Sequence, residues 1–216
     1  GDTRALADSY HKSAQLVGVI AGSVAMVLIF FGETFLILWT QNDELAENVS
    51  VLLSLLVLGN LLNGLMGIPY QMQLAHGWTR LSVYVNSVAV FFIVPGILWA
   101  VPQYGAVGAA WVWVALNAGY VLIAAQLVHR RIMMAEKWHW YREDVLAPLL
   151  GAGLAVGMIK YRWPAQETVI EQVLVLAFAS IAAMGVSGLA SHHVRRQVQL
   201  AMKPMLSKFR AKLIFR

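Results

Sequence analysis

Six stretches of about twenty mostly apolar residues run through this chain, at roughly 16–39, 49–74, 81–101, 106–128, 145–161 and 169–190. The fifth is the shortest of them. Coiled as a helix rising 1.5 Å per residue, about 20 such residues match the ~30 Å hydrocarbon thickness of a bilayer. Inside lipid a backbone must satisfy its own amides, so only helices and closed barrels can span. The two-residue alternation of a barrel is absent here, which leaves helices. The expected fold is all-α, a polytopic membrane helix bundle of about six transmembrane helices. Composition agrees: 12% of residues are charged, about half of what soluble domains carry. The chain has no cysteine, so disulfides and thiolate metal sites are excluded.

The distribution of charge orients the runs. With the N-terminus taken as the inner side, every basic residue except Lys160 and Arg162 falls in an inner segment. Arg4 and Lys12 precede the first run, Arg80 separates the second and third, and Arg130, Arg131, Lys137 and Arg142 separate the fourth and fifth; the others lie in the tail. The first outer segment, "QNDELAEN", is acidic. Lysine and arginine concentrate on the cytoplasmic side, so both ends of the chain are expected there. Trp39, Trp78, Trp138, Trp140 and Tyr141 lie at run ends and are expected to be interfacial anchors. In the tail, Val194, Val198, Met202, Leu206, Phe209 and Leu213 recur every three or four residues among basic ones. That pattern reads as an amphipathic helix, interrupted at Pro204, on the anionic inner leaflet. A basic surface of this kind suits membrane lipids and not nucleic acid. Adjacent His192 and His193 diverge by about 100° on a helix, poor geometry for one ion, and no metal or cofactor is expected.

Polar residues inside the runs are the candidate functional groups. In "VLLSLLVLGNLLNGLMGIPYQMQL", Asn60, Asn63, Gly64, Gly67 and Gln71 form one helical stripe. Amides are costly against lipid, so the stripe faces protein or water. It is either a close helix–helix seam or the wall of a polar cavity. Asn86 and Asn117 lie in the third and fourth runs, and Arg80 sits at the inner mouth. The cavity candidates are therefore Asn60, Asn63, Gln71, Arg80, Asn86 and Asn117. Pro69 and the "VPG" of 94–96 mark expected bends. Gly153 and Gly157, and Gly185 and Gly188, read as packing contacts. No full charge lies near the middle of any run.

Glu33, in "IFFGETFLILW", is the coupling-ion candidate, about 8 Å past the middle of the first run at 1.5 Å per residue. A helical side chain tilts toward the N-terminus, which aims Glu33 back into the membrane. A straight, lipid-facing helix is the least favourable arrangement. The preferred expectation is that the helix loosens at Gly32 and puts Glu33 in headgroup water. The alternatives are a cavity-facing Glu33 on the side of Gln15 and Gly22, or a pair with Lys160 or Arg162.

Several ordered motifs resemble one family. "GDTRALADSYHKS", then "FFGETFLILW" with its acidic loop and long second run, then "VPQYGAVGAAWVWVALN" are similar to the later helices of bacterial polysaccharide flippases, of the O-antigen and exopolysaccharide type. These belong to the multidrug/oligosaccharidyl-lipid/polysaccharide exporter superfamily. The likeness covers residues 1 to about 130. It implies that the chain is the C-terminal part of a larger two-lobe transporter whose N-terminal lobe is its partner. Residues 1–130 would be four spans of the C-terminal lobe, 131–190 an inner loop and two further spans, and 191–216 the basic tail. The implied substrate is an undecaprenyl-diphosphate-linked oligosaccharide, crossing the bacterial inner membrane by alternating access, with the last two spans as candidates for contact with its lipid tail. Of the cationic residues, only Arg80 is placed to meet the diphosphate. A cation-coupled drug exporter of the same superfamily is the alternative. A membrane glycan polymerase or ligase is less favoured, since no catalytic set, P-loop or paired carboxylates occur at useful spacing and the outer loops are short. The chain is expected not to be an enzyme.

Overall fold

The structure is a computed structural model that describes residues 3–163, 168–197 and 199–200. The larger part of the expected tail helix, 201–216, lies outside the described residues. Three long helices come first: α1 (Thr3–Thr40), α2 (Asp43–Ala75) and α3 (Thr79–Gly119). A π-helical turn at Tyr120–Ala124 carries α3 into α4 (Ala125–Ile132). The short α5 (Lys137–His139) leads through π-helical Trp140–Leu146 into α6 (Ala147–Arg162), and α7 (Val169–Ala190) follows. The fifth run is thus longer as a helix than as an apolar stretch. No strand occurs among the described residues. The chain is an all-α polytopic membrane helix bundle.

Five helical stretches are long and apolar enough to span, one of them covering 54 residues from Thr79 to Ile132. Drawn straight, that stretch would measure about 80 Å, more than twice a bilayer core. It folds back instead. Gly105 has φ 59° and ψ −143°, a conformation open essentially to glycine alone. A Cβ built on Gly108 would lie 2.6 Å from the Ala100 carbonyl oxygen, and one on Gly96 would lie 3.2 Å from Val112. Residues sixteen apart in sequence touch only if the helix reverses, so α3 makes two crossings and the chain six. The bend expected at 94–96 is not where α3 breaks; its helical φ/ψ fail at Gly105. Pro69 likewise stays within continuous α2.

The turns are short. Gln41, with φ 53°, and Asn42 alone separate α1 from α2. The Asn42 side chain accepts from the Leu45 amide at 2.9 Å. Most of the expected acidic loop is therefore helical, with Asp43 and Glu44 in the first turn of α2, where carboxylates suit the positive end of the helix dipole. Thr168 and Glu171 cap α7 reciprocally.

Six crossings return the predicted inner segments to one end of the bundle. There His11 meets Glu136 and Asp144, the Arg131 guanidinium lies 4.3 Å from the centroid of the Trp78 ring, and the His193 amide reaches Gln15. This is the basic end of the bundle. α1 is the central helix. Its Tyr10, Ala14 and Ala25 pack with Leu61, Leu65 and Met72 of α2 and with Val121 and Trp140, while Val27 and Phe31 pack with α6 and α7. Gly153 and Gly157 of α6 lie against Met26 and Phe30 of α1, as packing contacts. Trp140 corrects an expectation. It is fully buried, a core residue and not an interfacial anchor, whereas Trp39 and Trp138 are exposed.

Candidate substrate cavity and buried polar knot

Apart from Asn63, the amide stripe of α2 turns away from the helices that α2 packs on. Leu61, Leu65 and Met72 enter the core, while Asn60, Asn63, Gly64 and Gln71 are exposed. A Cβ on Gly64 or Gly67 would meet nothing within 4 Å. Among the described residues the stripe is therefore not a seam. Asn63 reaches sideways: its amide donates to Asn117 Oδ1 at 2.8 Å, and the fully buried Asn117 donates to the Trp113 carbonyl at 2.8 Å. Asn60 donates to Leu56 in its own helix.

Beside Asn63 lies a cavity of about 270 Å³ with a mainly apolar wall, whose polar groups come from Tyr70, Gln73, Ser82, Asn86 and Tyr120. Gln73 is buried and donates to Ser82 Oγ at 2.6 Å and to the Trp78 carbonyl at 2.9 Å, which pins the turn between α2 and α3. The Tyr120 hydroxyl donates to Asn86 Oδ1 at 3.4 Å. Val85, Tyr120 and Ala124 also border a second, apolar space of about 640 Å³ between the two arms of α3. Tyr84, Val88, Phe92, Trp99, Val112 and Leu116 line that groove. A pocket with polar groups near the basic end thus shares part of its wall with an apolar groove between the arms of α3, an arrangement that suits an amphiphile.

Of the sequence candidates, Asn63 and Asn86 line the cavity and Asn117 joins it through Asn63. Asn60, Gln71 and Arg80 are exposed and stand outside its wall. Glu33 is far from it in the fold, on the exposed side of α1. Helical geometry fails at Phe31, with φ −120° and ψ 23°, one residue before the expected Gly32, and then resumes to Thr40. The Ser54 hydroxyl of α2, 3.0 Å from the Ser50 carbonyl of its own helix, also lies 3.4 Å from the Ile29 carbonyl, the group that an unbroken helix would pair with the Glu33 amide. The loosening occurs where α1 crosses α2, and "TFLILW" is helical beyond it. Lys160 lies over the Phe31 ring at 5.1 Å, and no ion pair joins it to Glu33 among the described residues.

A second polar constellation lies at the basic end, and none of its members was a sequence candidate. His11 Nδ1 is 2.5 Å from Asp144 Oδ2, and His11 Nε2 is 3.1 Å from Glu136. Gln15 donates to Asp144 Oδ1 at 2.9 Å and accepts from the His193 backbone amide at 2.8 Å. Tyr10, His129 and Trp140 adjoin them, with the Tyr10 hydroxyl 3.1 Å from His129 Nε2 and His129 Nδ1 2.7 Å from the Ala125 carbonyl. Gln15 and Asp144 are fully buried and His11 nearly so. His11 precedes the first apolar run. Burial alone lowers its pKa, but the hydrogen bonds and charges of Asp144, then Glu136, outweigh burial and hold it above the ordinary value. Burial pushes the Tyr10 hydroxyl up, and the Asp144 charge adds to that. The signal missed in sequence was positional, because each of these groups sits at a run end, where hydropathy expects water.

Residues 1–99 match the MatE family, whose members are membrane exporters and not enzymes. No curated protein and no solved structure matches the chain. With its six crossings, the chain is a multi-pass membrane protein, and the match supports transport of the exporter type.

Proposed function

We propose that the chain takes part in moving an undecaprenyl-diphosphate-linked oligosaccharide across the bacterial inner membrane by alternating access, with its basic end in the cytoplasm. The observation that carries this reading is the shared wall of the cavity and the apolar groove, through Val85, Tyr120 and Ala124. Asn63, Gln73, Ser82, Asn86 and Tyr120 offer neutral donors and acceptors, the groups that sugar hydroxyls bind. The groove beside them is walled by aliphatic and aromatic side chains and suits a polyprenyl tail. A lipid-linked glycan needs both surfaces side by side. The groove lies between the third and fourth crossings, whereas the family resemblance directed the tail to the fifth and sixth. Arg80, in the first turn of α3 at the basic end, is the candidate partner for the diphosphate. The N-terminal lobe implied by the resemblance would complete the path as a partner of these helices.

The test is deletion of the gene in its own cell. The expected result is undecaprenyl-linked glycan accumulating on the cytoplasmic face, with loss of surface glycan. Normal surface glycan together with heightened sensitivity to cationic drugs would refute the assignment and favour the drug exporter. Asn63→Leu and Asn86→Leu, which leave the bundle able to insert, are expected to reproduce the accumulation.

A further inference from the structure

The polar knot contains an imidazole nitrogen that its hydrogen bonds leave unused, besides the Trp140 indole nitrogen. His139 Nε2 is sealed from solvent and has no hydrogen-bond partner among the described residues. Its ring lies 4.1 Å, centroid to centroid, from that of His11. A buried nitrogen left unpaired is unfavourable, so a ligand that engages it is favoured. Ligand atoms of His11, His139 and Asp144 all lie within 4.8 Å of one another. We propose that His11, His139 and Asp144 form a binding site for a zinc-class divalent transition metal, which ties the start of α1 to the elbow between the fourth and fifth crossings.

The donor set selects the class. Two imidazoles and a carboxylate suit zinc and its neighbours, while calcium and magnesium call for shells of oxygen ligands. The surroundings match the outer shell of such a site. Metal-bound histidines commonly donate their other ring N–H to a carboxylate, and His11 Nε2 faces Glu136 at 3.1 Å, leaving Nδ1 beside Asp144 for the metal. Gln15 fixes the second oxygen of Asp144 at 2.9 Å. The Glu143 carboxylate, 3.6 Å from His139 Nε2, or a water can take the fourth position. Tetrahedral ligands at about 2.0–2.2 Å from zinc require the proton between His11 Nδ1 and Asp144 to leave and those two groups, now 2.5 Å apart, to part around the ion, while His139 draws in. His139 is half-buried, with one side of its side chain open to solvent. The proposal is independent of the substrate reading. His11 lies within residues 1–99, which match MatE, and the other two ligands lie outside them; the metal would join the matched helices to the last two crossings.

The test uses full-length, tag-free protein in nanodiscs, stripped with chelator and titrated with Zn²⁺ or Mg²⁺. The expected result is one zinc per chain by elemental analysis and a thermal midpoint raised by Zn²⁺ but not by Mg²⁺. His139→Ala removes no hydrogen bond, so the metal-free protein stays folded, while zinc affinity falls roughly tenfold or more. His192→Ala, outside the site, titrates like the wild type. Co²⁺ bound to the unmutated protein gives the visible absorption of a tetrahedral site, a readout that needs no variant to fold. Absence of stoichiometric zinc, absence of the cobalt spectrum, or loss of binding in His192→Ala with none in His139→Ala overturns the proposal.

Discussion

The amides along α2 and the ionisable groups around His11 are built in opposite ways. The stripe lies within an apolar run, carries no charge and is largely exposed, with Asn63 and Asn117 paired across two helices. The knot lies at run ends and gathers His11, Asp144, Gln15 and His193 from three segments into the interior of the basic end. Neutral amides in a membrane gain little from each other, because the unfolded helices also find partners. A buried carboxylate has no cheap alternative once its cation is gone. The knot should therefore hold the bundle together, and the stripe should remain free to meet something that moves.

The largest expected effect follows from that contrast. Asp144→Ala leaves His11 and Gln15 buried without their acceptor and should cost about 3–5 kcal/mol, the usual penalty for breaking a buried pair from one side. Asn63→Ala should cost about 0.6–1.7 kcal/mol, the range for hydrogen bonds between membrane helices. Both are measurable as unfolding free energies in bicelles. Equal losses would erase the distinction. The two tryptophans at the elbow sharpen it. Trp140→Ala should lose about 3–5 kcal/mol through the cavity it leaves, while Trp138→Ala, exposed on the neighbouring turn, should stay within about 0.5 kcal/mol.

How much of this was legible follows from the same distinction. Hydropathy finds runs, and all six crossings were readable, including the pair that the structure joins into one helical stretch through Gly105. It was also able to single out Asn63, Asn86 and Asn117, because an amide inside an apolar run stands out in one dimension. Asp144 and His11 do not stand out, since a charged residue beside a run is what a solvated loop looks like. Only the packing of α1 against the elbow, 133 residues away in sequence, turns them into interior groups. Trp140 was misread for the same reason. The break near Glu33 was expected from glycine, but it falls at Phe31, beside the place where Gly32 packs on Leu53 and Ser54 of α2, a tertiary contact.

The apolar half of the cavity depends on the reversal of α3. Gly105→Ala forces a side chain into φ 59°, ψ −143° and should cost about 1–3 kcal/mol. If the groove between the arms holds a lipid tail, this variant should lose transport by more than its stability alone explains. The comparison is a variant of equal cost at the knot: a Gly105→Ala protein that unfolds as easily as such a variant yet transports normally would separate the groove from function.

The smallest effect bears most directly on the stripe. Gly64→Ala adds a methyl group where nothing lies within 4 Å, and alanine favours helix over glycine by up to about 1 kcal/mol. The variant should therefore be unchanged or slightly more stable. A loss would mean that another helix of the complete protein closes on the stripe, and the amides would then be a seam, as one of the two sequence readings held. Thiol chemistry separates the cases without relying on energies. The chain has no cysteine, so Asn60→Cys and Gln71→Cys each carry a single reactive group. Labelling of both by a membrane-impermeant reagent, in at least one state of the transport cycle, is the outcome expected of a water-filled wall. Protection of both in every state, together with a destabilised Gly64→Ala, is the outcome expected of a seam, and it would move the substrate path away from α2.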